Sequence, residues 1–556
     1  MATPNRPNRP NRLLITGGHV FTPAGIVEEP VLIEDGIITA IGATALTPAG
    51  AVEIDAGGGL VSPGFQDSHI HPYHAGLDML ACDLTPYVTA DGYLTRIAEY
   101  AASHPELDWI SGGGWSMDSF PGGLPTAAAL DAIVADRPAY FPNRDGHGAW
   151  VNSKALEIAG IDDTTPDPFD GRIERDADGH AIGTLQEGAM QLVARYVPLP
   201  TQDDMDAALE LAQQQLFAWG VTAWQDAIVG ATNDTPDPLD SYLRATTSGV
   251  LKAHVVGALW WDRNRGFEQI PELVAKRTRA LASGFRATAV KIMQDGVAEN
   301  FTAGMLEPYL DSCGCPGENM GKSFVDPTTL KEIAVQLDAL GFQLHFHALG
   351  DRAVRESLDA VAAAREANGD TDLRHTLAHI QVIHPDDIHR FADLKVVANM
   401  QPLWARHEPQ MDLLTVPFLG ARRAAWQYPF GSLQRAGSLL ASGSDWPVST
   451  ANPLEIIHTT VNRAPAGATG PSELPFLGEQ ALSLADALIA HSLGTAYLNH
   501  DEQRSGTIEL GKAGDIVILD RDIFAAPVAE IGSATVAYTI IGGEVVYDAT
   551  SSLVSA

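Results

Sequence analysis

The stretch PGFQDSHIHP, residues 63–72, places two histidines at the end of a short strand-like run. In a β-strand, residues i and i+2 point to the same face, so His69 and His71 can bind one metal ion together. A His-x-His pair alone is equally compatible with two half-buried histidines that make ordinary hydrogen bonds. The interpretation of the pair therefore depends on where the other polar residues of the chain fall.

Short apolar runs alternate with helical patterns over most of the chain, for example in the helical stretches 327–340 and 352–367. This alternation is typical of a parallel (β/α)₈ barrel, the TIM-type α/β fold. The eight predicted barrel strands are residues 64–71, 221–227, 253–259, 287–293, 343–348, 376–381, 396–401 and 439–445. Consecutive barrel strands are normally separated by one helix and two loops, so the long first interval predicts an inserted subdomain at about residues 80–205.

Both ends of the chain are rich in short β patterns separated by Gly, Pro and Asp. These segments are residues 13–21, 31–42 and 52–61 near the start, and 505–520 and 536–548 near the end. The first three resemble hairpin strands. We expect residues 13–62 and 500–556 to form one small β-sandwich beside a barrel of residues 63–499, and residues 1–12, with their Pro-Asn-Arg repeats, to be a disordered tail.

Four further candidate ligands lie within or at the ends of predicted barrel strands: Lys291, His347, His379 and Asp445. Barrel enzymes keep their chemistry at the carboxyl ends of the strands, so these side chains are expected to converge with the first two histidines on one or two divalent ions, zinc above all. Lys291 either snorkels to the rim of the barrel or is a neutral amine that reacts with carbon dioxide. The surrounding set favours a carboxylated Lys291 that bridges two metals.

Composition limits the classes of partner. The chain has 35 Lys and Arg against 70 Asp and Glu, a net charge of −35 that argues against binding to nucleic acid or to an anionic membrane surface. No apolar run approaches the length needed to span a bilayer, and no export signal is visible, so a cytoplasmic location is expected. The three cysteines, Cys82, Cys313 and Cys315, predict neither a disulfide framework nor a structural zinc site. The sequence is compatible with a homo-oligomer and does not determine the oligomeric state.

Several runs resemble the amidohydrolase superfamily, in the branch that includes N-substituted formamide deformylase. The runs are Pro63–His71, Val290-Lys291, His347–Arg352, Ser444–Pro447 and, in the insertion, Gly114-Trp115 and Asp145–Ser153. The resemblance covers nearly the whole chain. It implies one metal on His69, His71, carboxylated Lys291 and Asp445, and a second on the carbamate, His347 and His379.

The expected reaction is hydrolysis of a non-peptide C–N bond in an amide, formamide or related small molecule by metal-activated water, with Asp445 as the base. His147 in the insertion is either a lid residue that contacts substrate or a structural histidine in a Gly-rich turn. Trp115 is a second candidate substrate contact. His345 shares a strand face with His347 and is expected to support the ligands or contact substrate.

Two other functions remain open. A hydrolytic deaminase uses the same barrel but usually needs a glutamate just beyond the histidine of strand five, and the residues after His347 are Ala-Leu-Gly-Asp. A non-catalytic barrel with a binding role would typically have lost metal ligands, and every expected ligand is present. Trp224, Trp404 and Trp446 lie in or just past predicted strands and either line an apolar pocket or fill the core.

Overall fold

The computed structural model describes residues 12–45, 50–232 and 235–552 of the chain. The tail expected at residues 1–12 lies outside the described residues, except Arg12, which begins the first β-strand.

Eight parallel strands form one sheet in which each barrel strand pairs with the next along the chain. The first and last strands meet, because Asp445 N donates to His69 O at 2.8 Å and His71 N donates to Trp446 O at 2.9 Å. The predicted TIM-type barrel is therefore confirmed, and the predicted strands differ from the observed ones by a few residues at their ends. In order, the barrel strands are Phe65–Ile70, Val221–Val229, His254–Trp260, Arg286–Met293, Gln343–Ala348, Thr376–His379, Val397–Met400 and Leu440–Ser442.

Helices connect these strands and pack their apolar faces on the outside of the barrel. The helix Gln202–Ala218 begins with a capping box, in which Thr201 Oγ1 accepts from Asp204 N and the Asp204 carboxylate accepts from Thr201 N. No helix in the described ranges is long and apolar enough to cross a membrane. The α-helices are Pro72–Leu80, Ala90–Ser103, Ala127–Asp131, Ser153–Ala159, Gln191–Ala194, Gln202–Ala218, Leu239–Ser248, Ile270–Ala282, Pro327–Ala339, Asp351–Asn368, Ile388–Asp393, Val416–Ala424, Phe430–Arg435, Pro453–Asn462, Leu484–Ile489, Thr495–Leu498 and Ala549–Ser552.

The two ends of the chain form two sheets that enclose a common core of Ile, Val and Leu side chains. The four-stranded sheet contains Arg12–Thr16, Val31–Glu34, Ile37–Ile41 and Val52–Asp55; the six-stranded sheet contains His19–Thr22, Gly25–Val27, Leu60–Pro63, Ile516–Leu519, Val536–Ile541 and Glu544–Asp548. This arrangement agrees with a small β-sandwich built from both termini.

Two of the segments expected to be single hairpin strands each divide between these sheets. Residues 13–21 break at Gly17 and residues 52–61 break at Gly58, where φ is +67° and +83°. Glycine reaches these values without steric cost, and Gly58 N donates to Gly17 O at 2.6 Å, so the two segments turn together. They run parallel to each other in both sheets, so they form no hairpin together. Residues 31–42 do form an antiparallel hairpin, and His19–Thr22 forms another with Gly25–Val27.

The insertion between the first two barrel strands carries a six-stranded sheet and hydrophobic cores of its own. Its strands are Cys82–Asp83, Ile110–Gly113, Ala139–Pro142, Gly148–Val151, Gly171–Arg175 and Ala181–Glu187. Polar contacts join it to the loops that follow barrel strands three and four. Arg263 pairs with Asp170 at 2.7 Å, and Thr302 Oγ1 donates to Glu187 at 2.6 Å. These contacts hold the insertion over the carboxyl ends of the barrel strands.

Candidate metal centre

His69 and His71, from the end of the first barrel strand, both face Asp445. Their Nε2 atoms lie 3.2 and 2.8 Å from Asp445 Oδ1. Behind them, His69 Nδ1 lies 2.7 Å from His345 Nε2, and His345 Nδ1 lies 2.8 Å from Gln225 Oε1. Because the Gln225 oxygen only accepts, His345 carries its proton on Nδ1 and accepts the Nδ1 proton of His69. The lone pair of His69 Nε2 is then free for a metal ion.

Lys291 lies in the fourth barrel strand with 1% of its surface exposed. Its Nζ is 3.3 Å from His69 Nε2. Burial lowers the pKa of the Lys291 ammonium to about 7, although the negative charge of Asp445 opposes this shift. The amine therefore has a substantial neutral fraction near neutral pH, which is the form that reacts with carbon dioxide.

His347 and His379 lie beside each other at the ends of barrel strands five and six, with ring centroids 4.5 Å apart. His347 Nδ1 is 3.2 Å from Asp295 Oδ1, which leaves its Nε2 free. The backbone of His379 donates to Gln401 Oε1 at 2.6 Å, and its ring stacks on Trp404 at 5.3 Å. Both ring nitrogens of His379 are buried and make no hydrogen bond within the described part of the chain.

The protonation states of these groups are those that metal ligation requires. Burial holds the pKa of His69, of His347 and of His379 well below the ordinary histidine value, and nearby positive charges add to this shift. Burial alone would raise the pKa of Asp445, but its hydrogen bond with His71 and the nearby positive charges bring it below the ordinary value. The imidazoles are therefore neutral and the carboxylate is charged at neutral pH.

The geometry and chemistry of the cluster fit a divalent ion. One donor atom each from His69, His379 and Asp445 lie within 4.8 Å of one another. A buried polar atom without a partner costs about 1 to 3 kcal/mol, and a metal ion would remove that cost for one ring nitrogen of His379. Imidazole nitrogen and carboxylate oxygen suit zinc, manganese, iron or cobalt.

A cavity of about 1020 Å³ opens above the cluster. Its wall includes His69, His71, Lys291, His347, His379 and Asp445, so all six expected ligands reach the same space. The insertion forms much of the opposite wall. This volume accommodates a small-molecule substrate.

Of the three residues expected to contact substrate, His147 alone lines this cavity. Trp115 lies in the core of the insertion with 1% exposure, and its indole N–H donates to Phe141 O at 2.8 Å. This position does not fit a substrate contact, because the apolar ring packs best inside the subdomain. His345 is fully buried behind His69, where it orients the ligand and is shielded from the cavity.

The other tryptophans considered from the sequence also lie outside the cavity wall. Trp224 is fully buried in the barrel core, Trp404 stacks on a ligand histidine, and Trp446 packs edge-on against another tryptophan. Trp109 and Trp260 line the cavity instead. Their positions depend on how the insertion and the loop after strand three come together, which the sequence pattern does not specify.

The model of the amidohydrolase family matches residues 52–547 of the chain. The chain belongs to the amidohydrolase family. Protein LONG AFTER FAR-RED 3 of Arabidopsis thaliana is 31% identical over 547 residues, covering 96% of this chain and 91% of the relative. N-substituted formamide deformylase of Arthrobacter pascens is 27% identical, covering 94% and 96%. The family resemblance seen in the sequence is thus confirmed.

A solved structure extends the comparison to the fold. An uncharacterized metal-dependent hydrolase from Pyrococcus furiosus has a TM-score of 0.67 with this amidohydrolase and is 26% identical in sequence. The similarity covers 92% of this chain and 99% of that chain, so the two proteins share most of their architecture.

His147 of this amidohydrolase is held over the metal centre by a carboxylate that sequence reasoning missed. Its Nδ1 lies 3.0 and 2.9 Å from the two oxygens of Glu187, and its ring centroid is 5.3 Å from that of His347. Burial lowers the pKa of His147, but the charge and hydrogen bonds of Glu187 outweigh this effect and raise it to about 9. Glu187 has a φ of +51°, a strained value that often marks a functional position.

Three residues that sequence reasoning missed thus support those it found. Each of them lies within hydrogen-bonding distance of a histidine ring and so orients it. Gln225 orients His345, Asp295 orients His347, and Glu187 orients His147. Gln225 and Asp295 lie in or just after barrel strands two and four of this amidohydrolase, so a polar residue in a buried strand or at its carboxyl end was the available signal. Glu187 ends a strand of the insertion and not a barrel strand, so the barrel pattern did not point to it.

Proposed function

We propose that this amidohydrolase is a metal-dependent hydrolase that cleaves a non-peptide C–N bond in a small amide or formamide. The observation that carries the proposal is the convergence of the six expected metal ligands, four of them histidines, on one cavity. The similarity to a formamide deformylase supports this bond class, and the similarity to a metal-dependent hydrolase from Pyrococcus furiosus supports use of a metal.

In this proposal one ion would be held by His69, His71, Asp445 and carboxylated Lys291, and a second would be held by His347, His379 and the same lysine. The Lys291 amine attacks carbon dioxide, its nitrogen loses a proton, and the resulting anion supplies two oxygens as ligands. The lowered pKa of Lys291 supports this step, because only the neutral amine reacts. A charged ammonium would instead repel the ions. Zinc is the expected metal.

The reaction follows from what the side chains around the substrate can do. Divalent metal supplies Lewis acidity and lowers the pKa of a bound water molecule toward neutrality. Asp445 accepts the proton of the attacking water and transfers it to the leaving nitrogen, because its carboxylate is ionised and lines the cavity. His147 contacts the substrate from the opposite wall, with Glu187 keeping its ring in place.

The proposal is tested with protein purified without chelator, assayed on N-substituted formamides and simple amides. We expect bound divalent ion, turnover, loss of turnover on chelation and recovery with zinc. Lys291→Ala should lose activity and the second ion, and short carboxylic acids should restore part of both by replacing the bridging carboxylate. Lys331→Ala, at a half-buried lysine that lies outside the cavity and pairs with Asp359, is the matched control. Full activity in metal-free protein would refute the proposal.

A further inference from the structure

Arg144 lies in the turn at residues 143–148, and its half-buried side chain lines the cavity. Within the described ranges, every other arginine places its guanidinium in an ion pair, a hydrogen bond or a contact with an aromatic ring. The guanidinium of Arg144 makes none of these contacts with any residue that the structure describes.

This lack of a partner is unexpected in a chain with 70 acidic and 35 basic residues. Among residues 12–45, 50–232 and 235–552, no carboxylate pairs with Arg144. A half-buried guanidinium loses part of its hydration, and that loss is offset only when its N–H groups find acceptors. The cavity is where such acceptors can arrive with a ligand, so the free donors of Arg144 point to an anionic group on that ligand.

The turn that carries Arg144 is fixed next to the metal centre. Arg144 N donates to Trp115 O at 2.8 Å, and Gly148 N donates to Asn143 Oδ1 at 3.0 Å. Three positions after Arg144, the ring of His147 contacts the ring of His347. A substrate bound over the metal ligands therefore lies beside this turn.

The other charges of the cavity disfavour a dianion. Arg263 also lines the cavity, but Asp170 neutralises it at 2.7 Å. Carboxylates line much of the wall and repel a dianion about twice as strongly as a monoanion. They are Asp78, Glu106, Asp108, Asp145, Glu187, Asp204, Asp262 and Asp445. A planar carboxylate satisfies both conditions, because it carries one charge and matches the two parallel N–H groups of a guanidinium.

We propose that the substrate of this amidohydrolase is an amide that carries a carboxylate, and that Arg144 binds this carboxylate. The inference rests on the proposed hydrolysis of a C–N bond and adds the class of substrate. The carboxylate belongs to the part of the substrate that lies beside the turn at residues 143–148, while the scissile bond lies over the metal ligands.

The test uses two formamides that differ by one carboxylate: N-formyl-phenylalanine, as both enantiomers, and N-formyl-2-phenylethylamine. The kcat/KM and, by calorimetry, the Kd of each are measured for the metal-loaded wild type and for Arg144→Met. For the wild type, kcat/KM should be about 10- to 100-fold higher for the better enantiomer of N-formyl-phenylalanine than for N-formyl-2-phenylethylamine, and the Kd should be lower by a similar factor. This is the range expected for hydrogen bonds to a charged group. Arg144→Met should reduce this ratio to about one.

Arg195→Met is the matched control. Arg195 directly follows the helix Gln191–Ala194, two residues of which line the cavity, and its side chain is exposed. Its Nε donates to Gln191 O, and Arg195 itself does not line the cavity. This variant removes the same charge from the same wall and should keep the wild-type ratio. A ratio that falls equally in both variants would overturn the proposal, because it would reflect general electrostatics.

The outcomes separate this inference from the proposed function. Cleavage of both formamides without a carboxylate preference supports the proposed function and overturns the role of Arg144. A carboxylate preference in Kd that Arg144→Met abolishes supports the role of Arg144 even if neither formamide is cleaved, a result that would count against the proposed function. No binding of either compound at millimolar concentration would overturn the inference.

Discussion

Asp295 is expected to control the binding of the second metal ion through His347. Its Oδ1 lies 3.2 Å from His347 Nδ1 and 3.0 Å from Leu349 N, and its Oδ2 accepts from Gly304 N and Gly350 N at 2.9 Å each. Burial raises the pKa of Asp295 to about 7, although its hydrogen bonds with three backbone N–H groups oppose this shift. The ionised carboxylate only accepts hydrogen bonds, so beside it His347 carries its proton on Nδ1. Its Nε2 is thereby kept as the metal ligand.

Asp295→Asn replaces one of these oxygens with an amide group that donates. If the amide faced Gly304 and Gly350, two buried N–H groups would lose their acceptor, at about 1 to 3 kcal/mol each. If the amide faces His347 instead, only one N–H group, that of Leu349, loses its acceptor, so this orientation is favoured. The Nδ1 of His347 must then accept, and its proton moves to Nε2, where it blocks the metal.

We therefore expect Asp295→Asn to lower the affinity for the second ion by about 10- to 100-fold, which is the usual effect of removing the hydrogen-bond partner of a ligating histidine. The free energy of unfolding of the metal-free protein should fall by about 1 to 3 kcal/mol. Zinc affinity is measured by competition with a chromophoric chelator, and stability by urea denaturation.

Asp338→Asn is the matched control for this variant. Asp338 Oδ2 lies 2.9 Å from His375 Nε2, both side chains are buried, and neither lines the cavity. This variant should lose stability without any change in zinc affinity. Unchanged zinc affinity in Asp295→Asn, or an equal loss in both variants, would refute the proposed control of His347.

Three further predictions address the ligands and the insertion. His69→Ala should abolish metal retention and hydrolysis together, since it removes a ligand, and wild-type turnover would refute its assignment. Arg263→Ala should lower the free energy of unfolding by about 3 to 5 kcal/mol in urea denaturation, because it leaves Asp170 charged and buried, and a loss below about 1 kcal/mol would contradict this. Glu187→Gln should lower kcat/KM at unchanged metal content, whereas Glu299→Gln, a control that also accepts a threonine hydroxyl, should not.

The barrel and the side chains of the centre could be predicted because they follow local rules. The alternation of strands and helices gave the eight strands, and the i, i+2 periodicity gave the shared face of His69 and His71. Polar residues within buried strands or at their carboxyl ends then gave Lys291, His347 and Asp445. Each of these inferences needs only residues close in sequence.

The parts that could not be predicted depend on contacts between distant segments. Glu187 reaches His147 across 40 residues, and Asp295 reaches His347 across 52, so neither pairing leaves a periodic signal. Likewise, the position of Trp115 in the insertion predicted a substrate contact, but its side chain packs in the hydrophobic core of that subdomain.

The most direct test of the metal centre is a crystal structure of the zinc-loaded protein with anomalous diffraction measured at the zinc edge. We predict one anomalous peak among His69, His71 and Asp445 and a second between His347 and His379, with density that continues beyond Lys291 Nζ and bridges both peaks. Density that ends at the bare amine, with one peak, would contradict the carbamate and the second site. No peak at any of these side chains would contradict the account as a whole.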